Sequence, residues 1–396
     1  MKILWVKSDF LHPTERGGQI RTLEMLRRLH LRHEVHYVAL AYPEYPEGPT
    51  RASEYSSFAY PIAQNLPPQG SAAFLMQAVA SVFSSLPLSI SRYRSGAMRG
   101  KLAELINKHI FDAIVCDFVF PAQNLPSLDR SVLFQHNVET LIWRRHAGAG
   151  GNPLKRFYMR LQATRMLRHE SAVVRTVQQV VTVSDEDARL TGEVLGRTEG
   201  VSVIPTGVDC EYFAPPPTVP PFCDLIFLGA MDWMPNVDGV LYFVREIWPK
   251  VRAADPKCTL GIVGRRPFPE IRRLAESDAH IKVTGTVPDV RPYLWGSRVS
   301  VVPLRVGGGT RLKIYESMAA GVPLVSTTVG AEGLPVAHPS LIRLADTPDS
   351  FADECGQLLS NELVRRRMAV TAREWVVSNY SWEMVAQCFE QVLSAK

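Results

Sequence analysis

The chain has 396 residues, of which 46% are hydrophobic and 21% are charged, and its formal net charge is +5. This length exceeds one ordinary core and predicts about two domains, and the composition excludes a disordered chain. The mild positive charge does not indicate nucleic-acid binding. The six cysteines lie far apart and form no CxxC pair, which indicates a reducing compartment and neither a zinc site nor a redox site.

Neither the N-terminal segment nor the most apolar stretch of the chain predicts export or membrane insertion. The N-terminal MKILWVKSDFLHP contains one short apolar run and no cleavage site, so it does not resemble a signal peptide. The most apolar stretch, residues 72–90, is interrupted by Gln77, Pro87 and several serines, which argues against a transmembrane helix. We therefore expect a cytoplasmic protein.

Short apolar runs alternate with helical patterns through the first half of the chain. Nearly continuous apolar runs are typical of strands buried on both faces of a parallel sheet. The predicted strands are residues 3–6, 35–40, 113–118, 131–135 and 180–184, and the predicted helices are residues 18–32, 71–85, 97–109 and 153–178. Ser184 followed by Asp187 predicts a capped helix after the last of these strands.

The second half repeats this alternation of predicted strands and helices. Its predicted strands are residues 225–229, 259–264, 281–285, 299–304 and 323–328. A proline-rich segment, residues 203–222, joins the halves as a linker. We expect an N-terminal acceptor-side domain over residues 1–205, a C-terminal nucleotide-binding domain over 206–380, and a helix over 381–396 that packs back on the N-terminal domain. Such α/β architecture predicts two Rossmann-like, doubly wound domains facing across a cleft.

One stretch, GGGTRLKIYESMAAG at residues 307–321, reads as a helix with an unfavourable start. Thr310 is the predicted N-cap, so Arg311 and Lys313 fall in the first turn, where each cation costs about 0.3–1 kcal/mol against the helix dipole. A bound phosphate relieves that repulsion, since a glycine-rich helix start is an anion site. Glu316, one turn further on, is suited to accept hydrogen bonds from a ribose diol. The alternative is a surface ion pair between Lys313 and Glu316.

This stretch resembles the donor-binding segment of GT-B glycosyltransferases, most closely the large retaining family 4 that includes bacterial cell-surface polysaccharide transferases. Five further blocks resemble that family in order along the chain: residues 15–29, 203–215, 227–239, 261–267 and 283–294. The resemblance implies a nucleotide-sugar donor, retention of anomeric configuration, and no metal or other cofactor.

The family's donor-binding positions carry over onto matching residues. Glu316 matches the glutamate that holds the ribose, and Gly308 and Gly309 match the loop facing diphosphate and sugar. Thr286 and Val287 match the nucleobase segment, and Gly17 and Gly18 match the N-terminal loop over the donor phosphates. The remaining predicted donor contacts within the matching blocks are Gly229, Gly264, Arg265, Thr310, Arg311 and Lys313. Of these, Arg311 and Lys313 are also predicted to act in catalysis by stabilising the departing diphosphate.

Two positions depart from the family. The first glutamate of its glutamate pair is replaced by Gly308, which puts sugar recognition in question. The usual arginine and lysine after the first C-terminal strand are missing, and only Asp232 stands there. We expect Arg311 and Lys313 to replace that positive charge.

The acceptor side is predicted from polar residues that follow N-terminal strands. His136 is the third predicted catalytic residue, positioned to bind a donor-sugar hydroxyl or to steer the acceptor, and a histidine satisfying a strand end is the alternative. Asn137 and Glu139 are secondary acceptor-side candidates. Asp117 ends another strand and either lines the site or caps the next segment.

Residues 154–175 form a basic, amphipathic pattern. Lys155 and five arginines alternate there with aromatic and aliphatic residues. Such a helix suits peripheral contact with an anionic membrane, here the inner face of the cytoplasmic membrane, and a solvated face packed on the sheet is the alternative.

Together these features predict a glycosyltransferase that moves a sugar from a nucleotide-diphosphate donor to a hydroxyl of a glycan or lipid-linked glycan in cell-surface polysaccharide synthesis. A nucleotide-sugar epimerase on the same fold and a non-catalytic nucleotide-sugar-binding protein are the alternatives. No nucleic-acid partner is expected.

Overall fold

A computed structural model describes residues 1–14, 17–68, 70–148, 153–306, 312–334 and 338–395. The chain divides into two compact units, one comprising Met1–Pro205 with Val385–Lys396 and the other Thr206–Met384. Each unit is built on one parallel sheet with its own hydrophobic core.

The sheet of the first unit has seven strands in the order β3-β2-β1-β4-β5-β6-β7. Its strands are β1 (Lys2–Lys7), β2 (Glu34–Ala41), β3 (Phe58–Ala63), β4 (Ala113–Asp117), β5 (Ser131–Phe134), β6 (Gln179–Thr182) and β7 (Val201–Val203). All neighbours pair in parallel, and the central strands are buried on both faces, as their apolar runs predict. The five predicted strands are confirmed, and β3 and β7, at the two edges, are additional.

The helices of this unit alternate with its strands. They are α1 (Gly17–Leu29), α2 (Glu47–Thr50), α3 (Ala72–Ser81), α4 (Leu88–Ser91), α5 (Gly96–Lys108), α6 (Glu139–Gly148), α7 (Pro153–Thr176) and α8 (Asp185–Leu190). The predicted cap is present, because Ser184 Oγ accepts a hydrogen bond from the Asp187 backbone amide at 3.1 Å.

The sheet of the second unit has six strands in the order β10-β9-β8-β11-β12-β13. Its strands are β8 (Cys223–Leu228), β9 (Leu260–Val263), β10 (Ile281–Gly285), β11 (Ser297–Val302), β12 (Leu324–Ser326) and β13 (Arg343–Leu344). Its helices are α9 (Met234–Tyr242), α10 (Trp248–Ala254), α11 (Pro269–Ser277), α12 (Arg291–Trp295), α13 (Leu312–Ala319), α14 (Pro348–Ser360) and α15 (Glu362–Tyr380), and the last helix, α16 (Trp382–Ser394), leads into the C-terminal part of the first unit. The five predicted strands are again present, and the two-residue edge strand β13 is additional.

The last helix, α16, contributes to the core of the first unit. Phe389 lies fully buried with its ring 5.5 Å from that of Trp5 on β1 and 5.0 Å from that of Phe134 on β5. Aromatic pairs at such distances add about 0.5–1.5 kcal/mol to the burial of their area. At the start of the helix, Trp382 packs so closely on Gly207 that a Cβ there would approach the indole within 2.7 Å.

Helix α7 packs its apolar side inward. Met166 is fully buried and Leu167 packs against the core, so these side chains are not available to a membrane. The exposed stripe of the helix carries Arg156, Phe157 and Arg160, with further arginines beyond. This matches a solvated basic face packed on the fold, and membrane contact by α7 stays a prediction. Within the described ranges, no helix is both long and apolar enough to cross a bilayer.

Candidate functional site

Both sheets have a topological switch point at corresponding places. The chain leaves β1 towards β2 and β3 on one side and continues from β4 on the other, and the same reversal separates β8 from β11. Ligands of doubly wound sheets bind outside the carboxyl ends of the strands at such a point. We therefore expect a ligand site at the carboxyl edge of each sheet, within its own unit.

In the second unit, two glycines bring the loops after β8 and β9 into direct contact. A Cβ on Gly264 would lie 1.7 Å from the carbonyl oxygen of Gly229, so no other residue fits there without moving the backbone. The loops are also joined by a hydrogen bond from the Met231 amide to the Arg265 carbonyl at 2.9 Å. The predicted pair Gly229 and Gly264 thus shapes the floor of this edge.

Lys313, in the first turn of α13, projects onto that floor. Its Nζ donates to Asn236 Oδ1 at 2.8 Å, lies 4.5 Å from the centre of the Phe227 ring, and would be 2.9 Å from a Cβ on Gly229. Asn236 is buried and donates in turn to the Ala230 carbonyl at 2.9 Å. A half-buried ammonium at the positive end of a helix remains a strong attraction for an anion.

Glu316 lies one turn further along α13 and is half-buried. Burial raises the pKa of its carboxyl, and the positive charge of Lys313 opposes that rise. Among the described residues, no hydrogen bond or ion pair satisfies this carboxylate. A partly desolvated acceptor without a donor is suited to a ligand that brings hydroxyl groups.

Two arginines in the loop after β9 lie beside Asp232 in the loop after β8. Arg265 Nε lies 3.6 Å from Asp232 Oδ1, and Arg266 Nη1 lies 3.8 Å from Asp232 Oδ2. Both arginines are exposed, and Arg266 has a left-handed backbone with φ of 49°. Sequence reasoning had included Arg265 but missed Arg266, whose position beside Asp232 follows only from the pairing of β8 with β9.

Of the remaining predicted donor contacts, the structure describes Thr286 and Val287. Thr286 is exposed and Val287 packs against the core, directly after Gly285, whose φ of 73° turns the chain out of β10. The glycines and basic residue ahead of α13, namely Gly308, Gly309, Thr310 and Arg311, lie outside the described residues. Their roles, and the predicted N-cap at Thr310, stay predictions.

In the first unit, Asp117 at the end of β4 is the centre of a buried polar cluster. Its Oδ1 accepts hydrogen bonds from Lys7 Nζ and His136 Nε2, each at 2.8 Å. Its Oδ2 accepts from Trp5 Nε1 at 2.9 Å and from Thr22 Oγ1 at 2.7 Å. All four donors are side chains, so the alternative in which Asp117 caps the following segment is wrong. Burial would raise the pKa of Asp117, but Lys7 and His136 hold it well below its usual range.

His136 has partners at both ring nitrogens. Burial lowers its pKa to about 4, against the opposing charge of Asp117, so the ring is neutral at pH 7. Because the ionised Asp117 needs a donor, Nε2 carries the proton and Nδ1 accepts from Arg21 Nη1 at 3.3 Å. The catalytic assignment of His136 stays a prediction. In this structure both ring nitrogens are hydrogen-bonded to protein side chains, which fixes the orientation of the ring.

The ring of His136 also packs against the first turn of α1. Phe118 stacks on it at 4.3 Å between ring centroids, and its own φ of 71° is rare for a bulky residue. A Cβ on Gly18 would meet Phe118 at 3.1 Å and His136 Nδ1 at 3.7 Å, whereas one on Gly17 would meet nothing within 4 Å. Gly18 is therefore a close-packing glycine, while Gly17 is exposed.

Of the acceptor-side candidates, Glu139 begins α6 and Asn137 lies two residues before it. Glu170 of α7 caps this helix, since its carboxylate accepts from the Glu139 and Thr140 backbone amides at 2.9 and 2.8 Å. Glu139 is 9% exposed, and burial together with the nearby Glu170 raises its pKa to about 7. A hydrogen bond from the Asn137 side chain opposes that rise. Their contact with an acceptor stays a prediction.

Sequence reasoning missed most of the Asp117 cluster. Lys7 ends β1 as Asp117 ends β4, and adjacent parallel strands bring such ends together, so this signal was present. Arg21 and Thr22 lie on the buried face of α1. That face could have been recognised in the sequence from the recurrence of apolar residues every three to four positions. No group of three or more histidine, cysteine or acidic side chains that suits a metal ion occurs in the described part of the chain.

Comparisons with known proteins agree with this architecture. Residues 16–212 match the family Glycosyltransferase Family 4, and residues 223–361 match Glycosyl transferases group 1. An uncharacterized 44.6 kDa protein in the cps region of Klebsiella pneumoniae is 20% identical, with 97% of each chain covered. A GDP-mannose-dependent α-(1-6)-phosphatidylinositol monomannoside mannosyltransferase of Mycobacterium tuberculosis is 25% identical, over 48% of this chain and 55% of its own length.

Solved structures show the same fold. HepE of Anabaena in complex with UDP superposes with a TM-score of 0.68 at 13% identity, over 100% of both chains. WaaG, a glycosyltransferase involved in lipopolysaccharide biosynthesis, has a TM-score of 0.62 at 14% identity, also over 100% of both chains. The chain is a glycosyltransferase of the GT-B fold. It belongs to the family 4-like group of these enzymes.

Proposed function

We propose that this enzyme transfers a sugar from a nucleotide-diphosphate donor to a hydroxyl of a glycan or lipid-linked glycan in cell-surface polysaccharide synthesis. The proposal rests on the positions of Lys313 and Glu316, which lie one turn apart on α13. The Lys313 ammonium lies against Gly229 and donates a hydrogen bond to Asn236. The partly desolvated Glu316 carboxylate, one turn away, accepts no hydrogen bond from the described residues. A cation followed one turn later by a hydrogen-bond acceptor suits a ligand in which a diphosphate is followed by a ribose.

Relatives support the choice of donor and acceptor. HepE is solved with UDP, and the mycobacterial relative is named for GDP-mannose and a phosphatidylinositol mannoside. The Klebsiella relative is encoded in a cps region. These names favour a nucleoside diphosphate as the carrier and a lipid-linked or surface glycan as the acceptor.

In the proposed reaction, the bond between the anomeric carbon and the diphosphate oxygen breaks, a bond from that carbon to the acceptor oxygen forms, and the proton of the acceptor hydroxyl passes to the departing diphosphate. Lys313 and the N-terminal end of α13 stabilise the negative charge on the departing diphosphate. Retention of configuration and transfer without a metal are parts of this proposal. The glycine at 308 predicts that the sugar is held without the carboxylate that the family places there.

Product analysis tests the proposal. The protein is incubated with UDP-glucose, UDP-galactose and GDP-mannose, with and without extracted lipid-linked glycan, in buffer containing EDTA. We expect release of UDP or GDP from one donor together with a glycosylated acceptor, or slow donor hydrolysis without one. An isomerised donor identifies an epimerase instead, and binding with unchanged donor identifies a non-catalytic protein. Loss of activity in EDTA that added Mg²⁺ restores would contradict the metal-free step.

A further inference from the structure

A buried cation at the carboxyl edge of the first sheet has no carboxylate beside it. Arg21 of α1 is only 9% exposed, and its Nη1 contacts His136 Nδ1 at 3.3 Å. Its Nε has no hydrogen-bond partner, and no carboxylate of the described residues forms an ion pair with it. Burial lowers the pKa of Arg21 to about 10, so the guanidinium is still charged at pH 7.

The charged groups around Arg21 are engaged with other partners. Lys7 forms an ion pair with Asp117 at 2.8 Å, and Asp117 accepts three further hydrogen bonds. Asp187 attracts Arg21 from a distance, while its own Oδ2 accepts a hydrogen bond from Ser184 Oγ at 2.6 Å. A buried charge without an adjacent counter-charge is costly, and a ligand that brings one relieves that cost.

The guanidinium of Arg21 lies beside the first turn of α1. Long side chains on a helix point back towards its N-terminus, and the His136 Nδ1 that Arg21 contacts lies 3.7 Å from the position of a Cβ on Gly18. The first turn contains no acidic residue, and a Cβ on Gly17 would meet nothing within 4 Å. Since the first N–H groups of a helix have no partners within it, this turn favours an anion.

The carboxylate of Asp9 lies on the other side of the same helix start. Its Oδ2 accepts a hydrogen bond from Gln19 Nε2 at 3.1 Å, and its Oδ1 accepts one from Ser8 Oγ at 3.3 Å. Gln19 and Arg21 are two residues apart, so they project from nearly opposite sides of α1. Asp9 therefore does not neutralise Arg21, and it disfavours an anion on its own side of the turn.

The unsatisfied part of Arg21 suits a carboxylate. The Nε and one Nη of a guanidinium form a planar fork that binds both oxygens of a carboxylate at once. One cation matches one negative charge, whereas the more highly charged diphosphate is assigned to Lys313 of the second unit under the proposed function. His136, which Arg21 contacts, is the residue predicted to bind a sugar hydroxyl or to steer the acceptor, so a sugar is the expected carrier of this carboxylate.

We propose that Arg21 binds the carboxylate of an acidic sugar at the start of α1, and that one of the two sugars joined by this enzyme is a uronic acid. The inference rests on the proposed transferase function. The ligand carboxylate supplies the counter-charge that the described residues do not place beside Arg21. Either the donor sugar or the acceptor glycan carries it, since the chemistry of recognition is the same, and the experiment separates these two sources.

Binding of matched sugars tests the site. Methyl glucuronide and methyl glucoside, which differ only in the carboxylate, are titrated by ligand-observed NMR. UDP-glucuronic acid, UDP-glucose and UDP are titrated by calorimetry. The test variant is Arg21→Gln. The control is Arg28→Gln, which removes a cation from the same helix where it pairs with Glu24 at 2.8 Å.

We expect the wild type and the control to bind methyl glucuronide at least tenfold more tightly than methyl glucoside. In Arg21→Gln this preference should fall below threefold. Without ligand, Arg21→Gln should melt no lower than the wild type, because it removes a buried cation that has no ion pair. No preference in the wild type, or a preference that survives in Arg21→Gln, would overturn the proposal.

Arg21→Lys keeps the test decisive if Arg21→Gln does not fold. It retains the charge and loses the planar fork, so its preference for the glucuronide should fall at least threefold. An unchanged preference in Arg21→Lys would overturn the bidentate contact. A lower melting temperature of either variant with an unchanged preference would make Arg21 a structural residue and overturn the proposal.

The nucleotide sugars identify the source of the carboxylate. A preference for UDP-glucuronic acid over UDP-glucose that depends on Arg21 assigns the uronic acid to the donor. Glucuronide binding that persists at saturating UDP-glucose assigns it to the acceptor. If Arg21→Gln weakens binding of UDP as much as that of methyl glucuronide, Arg21 binds phosphate and the assignment of a carboxylate is wrong.

Turnover separates this inference from the proposed function. Glucuronide binding that depends on Arg21, without turnover of any donor, would refute the transferase function and leave the carboxylate site standing. Wild-type transfer between uncharged sugars that is as fast as transfer involving a glucuronide, with no preference in binding, would leave the transferase function standing and overturn the acidic sugar.

Discussion

The two units share one strand order around their switch points but use the carboxyl edges of their sheets differently. In the first unit, Asp117 is fully buried and its four hydrogen-bond donors come from its own unit. In the second unit, Lys313 is half-buried and donates to Asn236, and Glu316 accepts no hydrogen bond from the described residues. The buried carboxylate of the first edge is fully hydrogen-bonded, whereas the Glu316 carboxylate of the second can still accept hydrogen bonds from a ligand.

This difference separates stability from binding. A buried charge must be paired, and removing one partner leaves the other uncompensated at a cost of about 3–5 kcal/mol. A half-exposed charge in a ligand site can be removed with little loss of folding stability, because water replaces the lost contact. Substitutions at the two edges should therefore separate into those that unfold the protein and those that only weaken binding.

Gly264→Ala should have the largest effect on folding. The new Cβ would fall 1.7 Å from the Gly229 carbonyl oxygen, which forces the loops after β8 and β9 apart. We expect a loss of more than about 4 kcal/mol or failure to express as soluble protein, measured by denaturant unfolding. Gly356→Ala, on α14 of the same unit with open space at its Cβ, is the control and should be neutral or stabilising. Equal stability of the two variants would mean that the glycine contact is not rigid.

Asp117→Asn should destabilise the first unit by about 3–5 kcal/mol, because it leaves Lys7 buried without a counter-charge. Thermal and denaturant unfolding measure the effect. Asp112→Asn, an exposed carboxylate beyond the other end of β4, should stay within about 0.5 kcal/mol of the wild type. If Asp117→Asn unfolds as the wild type does but loses transfer, the cluster serves the reaction and the proposed division is wrong.

Glu316→Gln should leave unfolding unchanged and weaken nucleotide binding. An amide offers one acceptor where the carboxylate offers two, and a hydrogen bond to a charged group contributes about 1.5–3 kcal/mol. We expect roughly tenfold weaker binding of both nucleoside and nucleoside diphosphate by calorimetry. Glu276→Gln, exposed on α11, is the control. Unchanged nucleoside affinity would remove Glu316 from the ribose contact.

The smallest effect concerns pH and the acceptor side. The folded pKa of Glu139 is raised to about 7 from 4.5, so folding keeps a proton that the unfolded chain has lost within this window. Its contribution to stability therefore falls as pH rises from 4.5 to 7. Glu139→Gln should therefore become more stable relative to the wild type as the pH rises across that range, measured by unfolding at several pH values. A difference that does not change with pH would contradict the raised pKa.

The sequence predicts the central strands because each is a continuous apolar run, and it misses β3, β7 and β13, which lie at sheet edges. β3 contains Pro61 and alternates between half-buried and exposed residues, and β13 is only two residues long. Such strands lack the signal of two-sided burial on which the prediction depends. The switch points follow from the central strands, and for that reason the sites fall at the expected edges.

The candidate donor site was predicted better than the polar cluster of the first unit. Gly229, Gly264 and Lys313 belong to motifs with a local pattern, and the structure brings them together. Asp117 and Lys7 are 110 residues apart, and their pairing depends on the register of β1 against β4. Burial of both side chains is a property of the folded sheet, which no local pattern encodes.

The most direct test of the central claim is calorimetric titration of wild type and Lys313→Ala with UDP, GDP and the corresponding nucleosides. The account predicts that the variant unfolds as the wild type does and binds the favoured nucleoside diphosphate at least tenfold more weakly. Its affinity for the nucleoside should change less than threefold, because the ammonium acts on phosphate. Equal loss for nucleoside and diphosphate, or no loss for either, would contradict a diphosphate site at the start of α13.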